Sequence, residues 1–262
     1  MRRLRRLANK RALRWSEGVC VIEGPDLVDA ALESGVEFEA LYVSTDLVEG
    51  SLTPLVARCL SAGVRVFALE SDVFSRVADT KTPQGLVAAV RMPVAALTTL
   101  ERVTTLIVLC DVQDPGNAGT IIRSSDAAGA SAVVLCGQSV DPFNPKTLRA
   151  SAGSIFHLPV VVCAFEEVVR FCAEHDIQLV ASLARGGRSP RDVDLSRDSA
   201  IVIGNEATGL TPEQVDACSL HVTIPMAGAA ESLNAGVAGS LLAFEVLYQR
   251  QGITDNAPRS SL

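Results

Sequence analysis

The second half of this chain is built from short, wholly apolar segments at regular spacing, and that pattern leaves few folds open. From Thr105 onward, residues 106–110, 132–136, 158–163, 178–182, 200–204 and 220–224 read as strands. Helical patterns at about 117–128, 145–153, 164–175, 212–217 and 232–250 separate them. A strand with one wet face alternates apolar and polar residues, whereas one that is apolar throughout is covered on both sides. Such strands, spaced by helices, predict an α/β domain with a mostly parallel sheet. Thr211-Pro212-Glu213-Gln214 offers a threonine cap and a box residue three positions on. The last helix places Leu233, Val237, Ser240, Leu241, Phe244 and Leu247-Tyr248 in a broad stripe with little charge before Arg250. So apolar a stripe predicts packing on a core or on a partner subunit.

The first 92 residues repeat the alternation on a smaller scale. Strands are expected at 19–22, 40–43, 64–68 and 86–90. Glu23-Gly24-Pro25 turns into a helix with Leu27, Val28, Ala31 and Leu32 on one side, and another helix follows at about 70–79. Thr53-Pro54 reads as a helix start, with threonine as the cap and proline in the first turn, where its missing N–H costs nothing. Residues 93–104, with Pro93 and mixed small side chains, read as a linker. The expected division is therefore 1–92 as a smaller α/β domain, 93–104 as linker and 105–262 as the larger domain. A length of 262 residues is ample for two cores.

Composition excludes several classes. Hydrophobic residues make up 48% and charged residues 20%, which rules out disorder over most of the length. No apolar run approaches a membrane span of about 18 residues, and no apolar stretch follows the basic N-terminus as in a signal peptide. Seven cysteines form no CxxC pair. Those at 20, 110, 136, 163 and 172 sit beside or within apolar runs and read as small buried hydrophobes in a reducing, cytoplasmic compartment. Three scattered histidines complete no metal-ligand spacing, so no metal is expected. Lys and Arg total 23 against 30 Asp and Glu, a net of −7. Residues 1–14 hold seven bases (Arg2, Arg3, Arg5, Arg6, Lys10, Arg11 and Arg14) and no acid, leaving 16 bases against 30 acids elsewhere. Such a chain does not coat nucleic acid indiscriminately; RNA contact, if made, is local, through this basic arm. The other reading of the arm is a solvated, frayed terminus.

Common α/β cofactor signatures are missing. Neither unit has G-x-G-x-x-G after its first strand, and neither G-x-x-x-x-G-K-[ST] nor G-x-S-x-G occurs anywhere. Polar residues gather instead in three loops, each at the end of an apolar strand. In Asp111-Val112-Gln113-Asp114-Pro115-Gly116-Asn117-Ala118-Gly119 a tight turn leads to a helix that Asn117 or a neighbour caps, with Arg123 one to two turns inside it. In Gly204-Asn205-Glu206-Ala207-Thr208-Gly209-Leu210 the missing Cβ of Gly204 lets another group approach the backbone, and turn chemistry gives no reason for Glu206. In the stretch from Ile224 to Asn234 the chain is rich in small residues and nearly uncharged, so its free amides and carbonyls suit the edge of an adenine, with Met226 and Leu233 against the ring faces. Ser232 is available as the cap of the last helix, and Asn234 falls in that helix's first turn, where asparagine is a poor choice. Each loop alone also has a reading as turns and caps; three in one sheet domain point to a composite site.

The three segments resemble the signature motifs of the SpoU (TrmH-type) RNA ribose 2′-O-methyltransferases, of the knotted SPOUT class. The matching residues are Asp114-Pro115, Asn117, Gly119 and Arg123; then Gly204-Asn205-Glu206 and Gly209-Leu210; then Ile224-Pro225-Met226, Gly228 and Glu231-Ser232-Leu233-Asn234. Asn144-Pro145-Lys146, with Arg149-Ala150-Ser151-Ala152-Gly153, is also similar to the family. The first 90 residues, through Glu23-Gly24 and Thr80, Thr82-Pro83-Gln84-Gly85, resemble its ribosomal-protein-like substrate-binding domain. Within the family the chain resembles the 23S rRNA methyltransferases, the thiostrepton-resistance type among them. One departure is Ala207, where many members carry glycine.

The resemblance implies a deep trefoil knot, S-adenosyl-L-methionine as methyl donor, a structured RNA substrate (rRNA in this branch) and an obligate homodimer with sites near its interface. It assigns Arg123, Asn117, Glu206, Ser232 and Asn234 to the catalytic surroundings and Gly204, Ile224, Met226 and Leu233 to the cofactor. The bases of residues 1–14, with Lys146 and Arg149, are expected on the RNA. A guanidinium is always protonated, so Arg123 suits a clamp on an RNA phosphate rather than a base, with Glu206 orienting Arg123 or the loop. Alternative readings are a tRNA ribose 2′-O-methyltransferase and, in another class, a non-catalytic RNA-binding or ribosome-assembly factor that keeps the fold.

Overall fold

The computed structural model describes residues 1–46, 52–77 and 83–252, so Thr80 and Thr82 of the N-terminal motif lie outside the described residues. The chain divides into two compact units, one formed by 1–93 with 141–157 and the other by 94–140 with 158–262.

The first unit begins with two helices, α1 (Arg2–Asn9) and α2 (Arg11–Glu17), followed by β1 (Val19–Glu23) and α3 (Pro25–Glu33). Then come β2 (Phe38–Ser44), α4 (Thr53–Ser61), β3 (Val66–Leu69), α5 (Ser71–Ser75) and β4 (Leu86–Arg91). The four strands lie in the order β1-β4-β2-β3; β4 runs antiparallel to both neighbours, while β2 and β3 are parallel. Leu52, not Thr53, stands at the cap position of α4, and a leucine side chain makes no capping bond. Pro54 is in the first turn, as expected.

The N-terminal segment is helical and belongs to the fold, which corrects the picture of a frayed arm, although most of its bases stay exposed. Leu4 and Leu7 of α1 are buried and pack with Val19, Val21 and Phe74 in one core. Arg14 is 3% exposed. Its Nε and Nη2 donate to Asp141 Oδ2 (2.8 and 2.5 Å), and its Nη1 donates to the carbonyls of Leu7 and Ala8 (2.6 and 2.9 Å). Asp141 Oδ1 in turn accepts from Trp15 Nε1 and from the amide of Phe143. A buried pair satisfied on every side holds its elements in register, and removing one partner costs about 3–5 kcal/mol. Asp141 and its neighbours thus bring a piece of the later sequence into the first unit.

The second unit opens within the expected linker, where β5 (Val94–Ala95) and a short 3-10 turn, Leu97–Thr99, are found. It continues through β6 (Thr105–Cys110), α6 (Pro115–Ala127) and β7 (Ala132–Cys136); α7 (Pro145–Ser151) follows in the first unit. The rest is β8 (Val160–Val162), α8 (Phe165–Glu174), β9 (Gln178–Ser182), β10 (Ser199–Ile203), α9 (Pro212–Asp216), β11 (Leu220–Val222) and α10 (Ala235–Arg250). Seven strands pair in the order β11-β9-β10-β6-β7-β8-β5, parallel throughout.

Alternation explains the apolar runs. Leu106, Val108, Ala132 and Val134 pack on one face with Val168 and Phe171 of α8. The intervening residues, including Ile107 and Leu109, are equally buried on the other, where α6 and α10 lie. The helix pair is close: a Cβ on Gly239 would stand 2.9 Å from Ile121 Cγ1, and Ser240 Oγ donates to Ser124 Oγ at 2.7 Å. All seven cysteines are free, with Cys163 half-buried and the rest buried. Burial pushes the Cys172 and Cys218 thiols up to about 12. No helix among the described residues is long and apolar enough to cross a membrane.

Candidate active site

The expected site begins where β6 ends. Asp111 there has a φ of +58°, in the left-handed region that residues with a Cβ seldom occupy, and its carboxylate accepts from the amide of Gln138 (2.7 Å). Three residues on, Asp114 caps α6: its Oδ1 accepts from the amide of Asn117 (2.8 Å), with Pro115 in the first turn. Asn117 is therefore inside the helix rather than its cap, and is 8% exposed.

The loop after β10 is bonded to this turn. Glu206 Oε1 accepts from the Asp114 amide (3.0 Å) and from Asn117 Nδ2 (2.9 Å), and Oε2 accepts from the Gln113 amide (3.2 Å). Partial burial works to raise the pKa of this carboxyl. The hydrogen bonds from Asn117 and the backbone amides outweigh it and hold the group below the usual carboxylate range. Asn205 adds a second tie, donating from Nδ2 to the Asp111 carbonyl (2.8 Å), while its Oδ1 accepts from the amides of Ala207 and Thr208. A Cβ on Gly204 would collide with the carbonyl carbon of Gly209, because Asn205 and Gly209 pair backbone to backbone and fold the loop back on its own start. Glu206 thus orients the loop, not Arg123.

The third segment joins them at the start of α10. Asn234 is its N-cap, with Oδ1 accepting from the Val237 amide (3.2 Å). That corrects two expectations: asparagine is at this position because it caps, and Ser232, exposed two residues earlier, is not the cap. A Cβ on Gly236 would lie 3.0 Å from Asn234 Oδ1 and 3.2 Å from Asn117 Oδ1, so both amides crowd one spot. A cleft of about 430 Å3 opens beside it. Gly204, Glu206, Ile224, Met226, Ser232 and Leu233 all line it. So do Ser182, Leu183, Ala184 and Arg185, the turn after β9, which sequence reasoning missed. Its only signal was position at a strand's carboxyl end, before Gly186-Gly187. Arg123 is not among the lining residues. It is exposed two turns into α6 and, among the described residues, its guanidinium has no hydrogen-bond or ion-pair partner.

The sequence and fold of this site are shared. The SpoU rRNA Methylase family matches residues 104–244, spanning all three loops. The chain belongs to that family. An MRM3-like substrate binding domain matches residues 1–88. The 23S rRNA (guanosine(2553)-2′-O)-methyltransferase RlmP of Bacillus subtilis is 35% identical over 86% of this chain and 87% of its own. Among solved structures, the AdoMet-bound rRNA methyltransferase from Sinorhizobium meliloti superposes with a TM-score of 0.84 at 31% identity, over 97% of this chain and 94% of its own. The SpoU methyltransferase AviRb from Streptomyces viridochromogenes, in complex with AdoMet, gives 0.86 at 30% identity, over 95% and 97%.

Among the bases expected on RNA, this SpoU family member leaves Arg2, Arg5, Arg6, Lys10, Arg11 and Lys146 exposed, with Arg149 half-buried. Arg14 is removed from that set by its burial. Arg3 is committed to carboxylates, with Nε on Glu17 Oε2 and Nη1 on Glu39 Oε2, both at 2.7 Å. Hydrogen bonding from Arg3, against some desolvation, lowers the pKa of Glu39. Among the described residues no cluster of His, Cys, Asp and Glu would hold a metal ion.

Proposed function

We propose that the chain transfers a methyl group from S-adenosyl-L-methionine to the 2′-oxygen of a ribose in 23S rRNA. The observation that carries this reading is the junction of the three loops: one carboxylate, Glu206, bonds the turn and helix of the first, and the cap of α10 stands against the same asparagine. The cleft beside it has the volume and the mixed lining of a small-molecule site. Gly204, Ile224, Met226 and Leu233 fit the donor, with free main-chain groups of 224–233 for the adenine edge and aliphatic side chains for its faces. When bound, the donor supplies an electrophilic methyl on a positively charged sulfur.

The chain's own residues then prepare the nucleophile. Arg123, exposed and without a partner among the described residues, clamps the phosphate next to the target ribose and so points its hydroxyl along the line of displacement. The hydroxyl so placed would take the methyl that the bound donor supplies on its sulfur, and its proton would leave to a phosphate oxygen or to water. The positive charge of Arg123 stabilises the developing oxyanion. Asn117 and Asn234 hold the loops, and Ser232 faces the reactants from the cleft wall.

Other parts of the reading rest on the fold. A deep trefoil knot accords with the path of the chain: after β11 at the sheet edge it returns to lay α10 over β10, β6 and α6. The 187–188 segment is pressed against this path, since a Cβ on Gly187 would stand 2.5 Å from the Val222 carbonyl carbon. A homodimer joined through α10 accords with Val237, Leu241 and Tyr248, which are 44–49% exposed on the stripe that the sequence marks for a partner. Structured RNA is held through Arg2, Arg5, Arg6, Lys10, Arg11, Lys146 and Arg149, in the cytoplasm, where free thiols persist. Labelled methyl transfer to total rRNA and tRNA, followed by mapping of the modified nucleotide, tests the function. Label on a 23S ribose is the expected result; label on tRNA alone, or on neither, contradicts it.

A further inference from the structure

Three sequence segments that methyl transfer leaves unused come together in the N-terminal unit. Glu23 and Gly24 at the end of β1, Gln84 before β4, and Arg149 and Ala152 of the α7 segment meet Asp26 and Leu27 of α3 around an open cleft of about 230 Å3. Close contact builds it. The Gln84 amide oxygen occupies the place where a Cβ on Gly24 would project. Ala152 has a φ of +49°, a left-handed conformation that a residue with a Cβ adopts at a cost and keeps where its surroundings require it. Next to it, a Cβ on Gly153 would stand 2.6 Å from the Cβ of Ala30 on α3. The backbone is thus pinned on both sides of the opening.

We propose that this cleft receives an unstacked guanine of the substrate RNA, an inference that deepens the rRNA methyltransferase reading and rests on it. Sequence-specific proteins read RNA chiefly at splayed-out bases, through hydrogen bonds to their edges. Guanine is the base with two neighbouring donors on its pairing edge, N1–H and the 2-amino group, and one carboxylate accepts both. Asp26, exposed at the rim, supplies that carboxylate, and the exposed Gln84 side chain supplies an N–H donor for O6 beside it. Adenine, cytosine and uracil each lack one half of that pattern. Leu27 gives an apolar wall for the ring, and exposed Lys146, one turn before Arg149 on α7, meets the adjoining phosphate.

The test titrates the full-length protein with 5′-GMP, 5′-IMP, 5′-AMP, 5′-CMP and 5′-UMP, followed by amide NMR. It also measures steady-state methyl transfer to 23S rRNA by the wild type, Asp26→Asn and Gln84→Ala. GMP should shift the amides of Gly24, Asp26 and Ala152, with IMP, which lacks the 2-amino group, binding about tenfold more weakly. Asp26→Asn should raise KM for rRNA about tenfold while kcat and AdoMet affinity stay put, an effect that loose folding does not imitate. Equal binding of all five nucleotides, or an unchanged KM in both variants, overturns the proposal. Guanine-selective shifts with no methyl transfer to rRNA by the wild type would support the guanine site and remove the rRNA reading instead.

Discussion

The loops that follow β10 and β11 serve one cleft and are built in opposite ways. Between Gly204 and Leu210 every polar side chain is engaged inward: Asn205 with the Asp111 carbonyl and two amides, Glu206 with two amides and Asn117, and Thr208 with Asn205. Between Ile224 and Leu233, among the described residues, the chain makes no hydrogen bond, and its one tie is the exposed Arg185–Glu231 pair at 3.6 Å. The first loop is finished before any ligand arrives. The second presents unsatisfied amides and carbonyls to solvent, the groups a nucleoside edge satisfies on binding. In the proposed reaction the former serves as a fixed frame, and the latter takes up the ligand.

Substitutions in the two loops should therefore separate stability from affinity. The largest effect is expected at Glu206→Ala, which frees the 113–117 turn: about a hundredfold loss of turnover, with a lower melting temperature, read by single-turnover methyl transfer and calorimetry. The contribution of Glu206 also depends on pH. Its folded pKa lies below the usual value of about 4.3, so its stabilisation is complete above that pH and is lost as pH falls through the folded value. The melting difference between wild type and Glu206→Gln should shrink on acidification below about pH 4; a constant difference breaks the assignment. Met226→Ala, in the unbonded loop, should weaken AdoMet binding about tenfold by calorimetric titration and leave melting unchanged. A drop in melting temperature would show that this loop is structural after all. Asn234→Ala sits at the boundary between the two behaviours, and losing the α10 cap should cost about 1 kcal/mol in denaturant unfolding.

The contrast also explains what was legible in the sequence. Strand 132–136 was placed to the residue because burial on both faces makes it apolar from end to end, and 178–182 because its buried middle, Leu179–Ala181, is framed by the polar Gln178 and Ser182. The three loops were legible as a site because a parallel sheet binds its ligands at the carboxyl ends of its strands, and their polar residues gather there. Their bonding was not: Glu206 reaches across 92 residues to Asp114, and no local pattern records that pairing. Asn234 was noticed for being out of place in a helix, and the structure resolves the conflict by starting the helix at Ala235, with Asn234 as its cap. Strand order was invisible because β10 inserts between β9 and β6, against sequence order. Arg14 misled because a basic run reads as solvated, while its partner Asp141 lies 127 residues away. For the same reason 141–157 gave no sign of joining the N-terminal unit.

Arg123→Ala gives the most direct measurement, with AdoMet affinity by calorimetry and labelled methyl transfer to 23S rRNA determined on the same preparation. If Arg123, which has no partner among the described residues and lies off the cleft, serves the transition state as proposed, the dissociation constant stays within about twofold of wild type and the rate falls about a thousandfold. A variant that transfers methyl at the wild-type rate, or one that loses AdoMet binding together with activity, would contradict it.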